Sequence, residues 1–238
     1  MAAGSEVLLV GERDLLATIA SPGRGPATLP RAPGADLAGT AGRVLALGPR
    51  LVVVFGPQPG ELEAIRQAGA EAVEWPHEWF PVADELFSDR PPGPEPSRVF
   101  FSGPTSERRD TFLQPAKHRF DVLHLAGGAD LGELMDLMGR CGTAIDLAPE
   151  PGLAKVDRIG PAMAAGMLVL AQDPAPRTGL GDWQELVGFA TPDELSLVIG
   201  DVLRDPEPFL EVRRRGREAA EEWRASAALP EFLEALPG

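Results

Sequence analysis

The sequence is short of most features that announce a function. Its single cysteine, Cys141, rules out an internal disulfide framework and any multi-cysteine metal site. Lying against the apolar residues 142–147, that thiol reads as a buried, inert side chain. No apolar run approaches the roughly 18 residues that a membrane helix requires, so no membrane span is expected. The opening residues, Met1-Ala-Ala-Gly-Ser-Glu, lack the charged and apolar regions of a secretion signal, which points to the cytoplasm. Basic residues are scarce as well: 22 Lys and Arg stand against 36 Asp and Glu, a net charge of −14. Nucleic-acid binding needs a basic stripe to neutralise phosphates. The dense basic run Arg213-Arg214-Arg215 with Arg217 is followed by Glu218, Glu221 and Glu222, so it reads as a solvated helix face paired with itself. Gly127-Gly128 with Gly132 follows a strand but lacks the Gly-x-Gly-x-x-Gly spacing of a dinucleotide site.

What is present is ordinary globular material. The chain is 44% apolar, and 238 residues allow one large domain or two small ones. Residues 6–10 make a first strand. Residues 11–40 are rich in Gly and Pro and read as loop, apart from a helical turn at 14–20. Order returns at 44–47 and 51–55, 61–68 reads as a helix stopped by Gly69, and 72–75 as a third strand. Pro91, Pro92, Pro94 and Pro96 mark the clearest linker.

Beyond the linker the pattern alternates regularly. Strands are expected at 98–102, 121–125, 143–148, 167–171 and 186–190, with helices at 107–113, 130–138, 157–166 and 195–203. Thr191, Pro192 and Glu194 form an N-cap, a first-position proline and a capping box. After Asp205-Pro206 a charged helix runs to about Trp223, and a last helical segment occupies 229–236. Alternation of strand and helix demands parallel sheets with right-handed crossovers. The expected architecture is α/β: two Rossmann-like halves, residues 1–90 and 98–238, joined by the Pro-rich linker 91–97, with the first half reduced.

Four segments carry a family resemblance. They are Trp75-Pro76 through Phe87, then Val99-Phe100-Phe101-Ser102-Gly103 with Arg108-Arg109. Next come Arg158-Ile159-Gly160-Pro161-Ala162-Met163-Ala164-Ala165-Gly166, and finally Thr191 through Asp205-Pro206 with Arg214 to Arg217. Their order and spacing, over about residues 70–222, resemble the spore-maturation CgeB-like glycosyltransferases of GT-B fold. The resemblance implies transfer of a sugar from a nucleotide-diphosphate donor to an acceptor that the sequence does not name. It implies donor binding by the C-terminal half and no cofactor beyond the donor. No metal is implied, and no Asp-x-Asp motif is present.

The implied donor-binding residues are Gly103, Arg108, Arg109, Glu150, Lys155 and Arg158. Gly103 lets the backbone approach a diphosphate, the following helix start favours an anion, and the cations neutralise charge as the sugar leaves. His77, after a strand end, is the best-placed catalytic base, whereas His118 and His124 fall in a helix tail and a core strand. The family's ribose-binding glutamate, five residues before the helix-end Gly166, is Pro161 here. Proline offers no side-chain acceptor, and Glu150 and Asp157 are the nearby carboxylates that would have to replace it. Pro161 and the short first half keep a second reading open. In it the chain is a degenerate relative, serving as a binding or accessory subunit with a protein partner or a second copy of itself.

Overall fold

A computed structural model describes residues 7–11, 16, 19, 26–30, 37–76, 79–87, 98–127, 129–147, 159–172 and 184–236. The chain divides into two compact units, Met1–His77 and Glu78–Gly238.

The first unit is built on four parallel strands, β1 (Val7–Gly11), β2 (Ala27–Pro30), β3 (Leu51–Val54) and β4 (Glu71–Glu74), in the order β2-β1-β3-β4. Two helices, α1 (Leu37–Leu47) and α2 (Glu61–Gln67), supply Val44 and Ile65 to one face of this sheet. There they pack with Leu8, Val10, Leu29, Val52, Val54 and Ala72. Leu9 and Val53, which alternate with these along their strands, are buried as well, so both faces are covered.

One expectation fails in this unit: the stretch 11–40, read as loop, contains β2 and the start of α1. Residues 44–47, expected to be ordered, are the end of α1. The Val-Leu-Ala-Leu run imitates a buried strand when taken alone. Its true period shows only with Thr40, Ala41 and Val44 buried on one side, a signal weakened by small residues. Gly48, at φ 59, ends the helix and donates its N–H to Leu45 O at 3.0 Å. Strand β2 escapes notice because it is a short edge strand ending in Pro30, a position where no ladder donor is needed.

The second unit holds five parallel strands: β5 (Val99–Ser102), β6 (Val122–Leu125), β7 (Thr143–Asp146), β8 (Leu168–Gln172) and β9 (Val187–Phe189). Their order is β6-β5-β7-β8-β9. Helices α3 (Glu107–Arg119) and α6 (Pro192–Arg204) cover one face, where Phe112, Leu113, Leu195 and Ile199 meet Val99, Phe101, Ile145 and Leu170. Helices α4 (Leu131–Met138) and α5 (Ile159–Ala164) cover the other, where Leu134, Met138, Ile159 and Met163 meet Phe100, Ala144 and Val169. Strands apolar on both sides are what this doubly covered sheet requires.

Helix α3 runs six residues past the predicted end at 113, carrying Pro115 inside it, because Phe112, Leu113 and Ala116 are buried together. Proline in a helix interior costs a hydrogen bond, and tertiary burial outweighs that loss here. The capping reading at α6 holds. Thr191 Oγ1 accepts the Glu194 N–H at 3.2 Å, and Glu194 Oε2 accepts the Ala190 N–H at 2.7 Å.

The segment 79–87, placed by sequence in the first half, packs with the second unit. Trp79, Val82, Ala83, Leu86 and Phe87 belong to its core. The Val82 N–H donates to Trp223 O at 2.7 Å, and the Ala225 N–H donates to Val82 O at 2.8 Å. Trp79 stacks on Trp223 with ring centroids 6.0 Å apart. The Arg217 and Arg224 guanidiniums lie 4.6 and 3.9 Å from the Phe87 ring centroid. The Pro-rich residues 91–97 lie outside the described residues.

The unit closes with α7 (Leu210–Glu221) and α8 (Ala225–Glu234). On α7, Glu211 pairs with Arg214 and Arg215, and Glu218 with Arg214, as a self-paired solvated face should. Those hydrogen bonds hold the Glu211 carboxyl at about 2. Arg213 departs from that face: it is half-buried and donates two hydrogen bonds to Gly166 O at 3.1 and 2.9 Å. Among the described residues, no helix is long and apolar enough to cross a membrane.

Candidate functional site

In a parallel sheet, ligands bind beyond the carboxyl ends of the strands where the strand order reverses. In the second unit the reversal lies between β5 and β7: β5 connects outward to β6, and the chain then returns to β7 on the other side. The residues that leave these two ends are Ser102-Gly103 and Asp146-Leu147.

Gly103 is buried with φ 140, a conformation that side chains rarely adopt. Both of its backbone groups are engaged. Its N–H donates to Leu125 O at 2.9 Å, and its carbonyl lies 2.8 Å from His124 Nε2. Pro104 and Thr105 are exposed, and Ser106 then caps α3, its Oγ accepting the Arg109 N–H at 3.3 Å. Glu107, earlier in the first turn, has no intrahelical acceptor for its N–H. The positive end of the α3 dipole therefore sits beside the turn, at the switch point of the sheet.

The two arginines predicted here have different surroundings. Arg108 is half-buried and reaches across to Gln172 at the end of β8, its Nη2 donating to Gln172 Oε1 at 3.1 Å. Arg109 is only 2% exposed. Its Nη1 donates to Pro104 O at 2.9 Å and its Nη2 to Leu147 O at 3.2 Å. Its guanidinium lies 5.7 Å from the Phe101 ring centroid. Arg109 thus ties the β5–α3 turn to the end of β7.

Two residues that sequence reasoning passed over, Asp146 and Gln172, end neighbouring strands here, and His124, expected in a core strand, lies beside the turn. Asp146 is a buried carboxylate ending β7, Gln172 is a buried amide ending β8, and His124 is half-buried in the edge strand β6. For Asp146 and Gln172 the available signal was a polar side chain at the last position of an otherwise apolar strand, since a strand end at a switch point is where such residues meet. Among the described residues, no group of three or more His, Cys, Asp or Glu is placed to hold a metal.

Pro161 lies in the first turn of α5, buried, with its carbonyl accepting the Ala165 N–H at 3.0 Å. That placement is sterically tolerated. His77, Glu150, Lys155 and Arg158 lie outside the described residues.

No protein-family profile and no curated protein matches this sequence. Solved structures do resemble it. Anabaena Alr3699/HepE, solved in complex with UDP and glucose, aligns over 98% of this chain and 100% of its own, with a TM-score of 0.56 and 12% identity. A glycosyltransferase from Rickettsia africae aligns over 97% of each chain, with a TM-score of 0.57 and 10% identity. These likenesses are of fold: two parallel α/β sheets, the GT-B architecture expected from the sequence.

Proposed function

We propose that this protein transfers a sugar from a nucleoside-diphosphate sugar to an acceptor, with the donor diphosphate held at the Gly103 turn. The observation that carries this reading is the convergence of four features at the order reversal of the second sheet. They are a glycine at φ 140, the N-terminus of α3, the Arg108 guanidinium and the Gln172 amide.

The division of labour follows from burial. The Gly103 turn, with no Cβ, admits the diphosphate close to the backbone. Arg108, half-buried and bracketed by Gln172, contacts the phosphate oxygens. Arg109, buried on two carbonyls, holds the turn in place. As the glycosidic bond to the donor breaks, negative charge grows on the leaving diphosphate, and the helix dipole and Arg108 stabilise it. Lys155 and Arg158 are assigned a cationic role toward the leaving diphosphate. Glu150 takes the ribose contact that Pro161 cannot make. His77 is assigned the acceptor-side base. No cofactor enters beyond the donor.

Calorimetric titration with UDP, GDP and dTDP tests the reading, with UDP first because the HepE structure holds it. Binding by at least one is expected, weakened about tenfold or more in Arg108→Ala, the scale of a lost charge-assisted hydrogen bond. Failure of all three to bind would overturn it.

Pro161 supports a second reading, a relative that binds the donor but works beside an active partner. Donor hydrolysis by the purified chain, lost in Arg108→Ala, would exclude it. Pro161→Glu buries a carboxylate and should lower stability without nucleotide. A gain in nucleotide affinity in that variant would place the ribose at α5.

A further inference from the structure

The interactions behind the Gly103 turn are not explained by packing alone. Lys117, in the last turn of α3, lies with Nζ 3.0 Å from His124 Nδ1, and His124 Nε2 lies 2.8 Å from Gly103 O. A lysine ammonium has only donors and a carbonyl oxygen only accepts. The imidazole between them must therefore accept at Nδ1 and donate from Nε2, which defines one neutral tautomer. The ring is steadied by Phe101, directly opposite His124 in the β5–β6 pairing, with ring centroids 5.0 Å apart.

The consequence lies in where the turn's carbonyls point. A carbonyl oxygen facing a diphosphate would repel it. Gly103 O is drawn back onto His124, and the next carbonyl, Pro104 O, onto Arg109 Nη1 at 2.9 Å. The Gly103 N–H donates to Leu125 O. Both carbonyls are thus engaged by protein donors and withdrawn from a ligand at the turn.

We propose that Lys117 and His124 are positioning residues for the Gly103 turn: the Lys117–His124–Gly103 chain fixes the carbonyl away from the donor phosphates and so sets affinity for the nucleoside diphosphate. This rests on the donor-site reading above. The histidine touches neither sugar nor phosphate and acts through the backbone it holds. Lys117 polarises the ring from Nδ1, which strengthens the Nε2 donor.

His124→Phe keeps the ring and removes both hydrogen bonds. His124→Gln restores a donor toward Gly103 O and an acceptor toward Lys117. Lys117→Met removes only the outer member. Two measurements on the full chain separate the outcomes. The first is amide hydrogen exchange across residues 102–112, with the 168–172 and 187–189 strands as reference. The second is calorimetric titration with UDP, GDP and dTDP.

In His124→Phe, exchange in 102–112 should rise about tenfold relative to the reference strands, and diphosphate affinity should fall about tenfold, the equivalent of one positioning hydrogen bond. His124→Gln should recover most of both, and Lys117→Met should show a smaller loss. Exchange in His124→Phe that stays at the wild-type level, or rises equally in every strand, overturns the proposal, as does unchanged affinity. If the wild-type chain binds no diphosphate, the donor reading and the affinity role both fall, while the exchange result still decides whether the chain of contacts holds the turn.

Discussion

Neighbouring residues of one type can carry different duties, and Arg108 and Arg109 show how burial separates them. Arg109→Ala removes hydrogen bonds to Pro104 O and Leu147 O and leaves two buried carbonyls without that donor. A loss of about 3 kcal/mol in urea denaturation is expected, with Arg109→Lys recovering about half because one ammonium reaches one carbonyl at a time. Arg108→Ala should cost less, about 1 kcal/mol, since its bond to the Gln172 amide lies at a half-buried site, yet it should weaken nucleotide binding. Equal stability losses in the two variants would contradict the separation.

Cys141 supplies a second test at this scale. Burial pushes its thiol from an ordinary 9.0 up to about 11. Between those values the folded state keeps a proton that the unfolded chain releases, so stability falls as pH rises through that window. At pH 8 the native thiol is protonated and covered, and reaction with a disulfide reagent should be slow until denaturant is added. Rapid labelling of the native protein would contradict the burial.

At the scale of elements, the C-terminal helices are bound to the sheet through contacts with little room. A Cβ on Gly216 of α7 would meet Glu185 O at 2.8 Å and Met163 Cγ at 3.3 Å. Gly216→Ala gains helix propensity but forces the two elements apart, and a net loss of about 1–3 kcal/mol is expected in thermal or urea unfolding. Stabilisation would show that α7 sits further from α5 than described. Thr191→Ala, by contrast, removes one cap hydrogen bond at an exposed helix start and should cost about 1 kcal/mol.

For the whole molecule, the decisive question is where the second unit begins. Trp79, Val82, Leu86 and Phe87 are buried in its core and lie before the proline cluster. A fragment starting at Glu78 should fold cooperatively by circular dichroism and retain nucleotide binding, since every described site residue lies within it. A fragment starting at Arg98 loses those four side chains, each contributing about 1.5–3 kcal/mol of burial, which is comparable to the whole stability of a domain. It should be unfolded or aggregated. Equal melting of the two fragments would return the boundary to the prolines.

The sequence by itself determined what rests on local chemistry and short periods. Apolar strands between turn residues, the Thr191 cap, the self-paired arginines of α7 and the buried cysteine were all legible, because each depends on neighbours within a few positions. The parallel α/β architecture followed from their alternation. The tertiary structure decided whatever depends on residues distant in the chain. It turned residues 44–47 into a helix end through a buried face made with other strands, and it carried α3 through Pro115 by burial against the sheet. It assigned 79–87 to the second unit through Trp223 and Ala225, more than a hundred positions away. It also divided Arg108 from Arg109, and brought Gln172 and His124 to the Gly103 turn. The physical reason is the same throughout: strand order sets which chain segments end side by side, and strand order is fixed by packing that no local window of sequence contains.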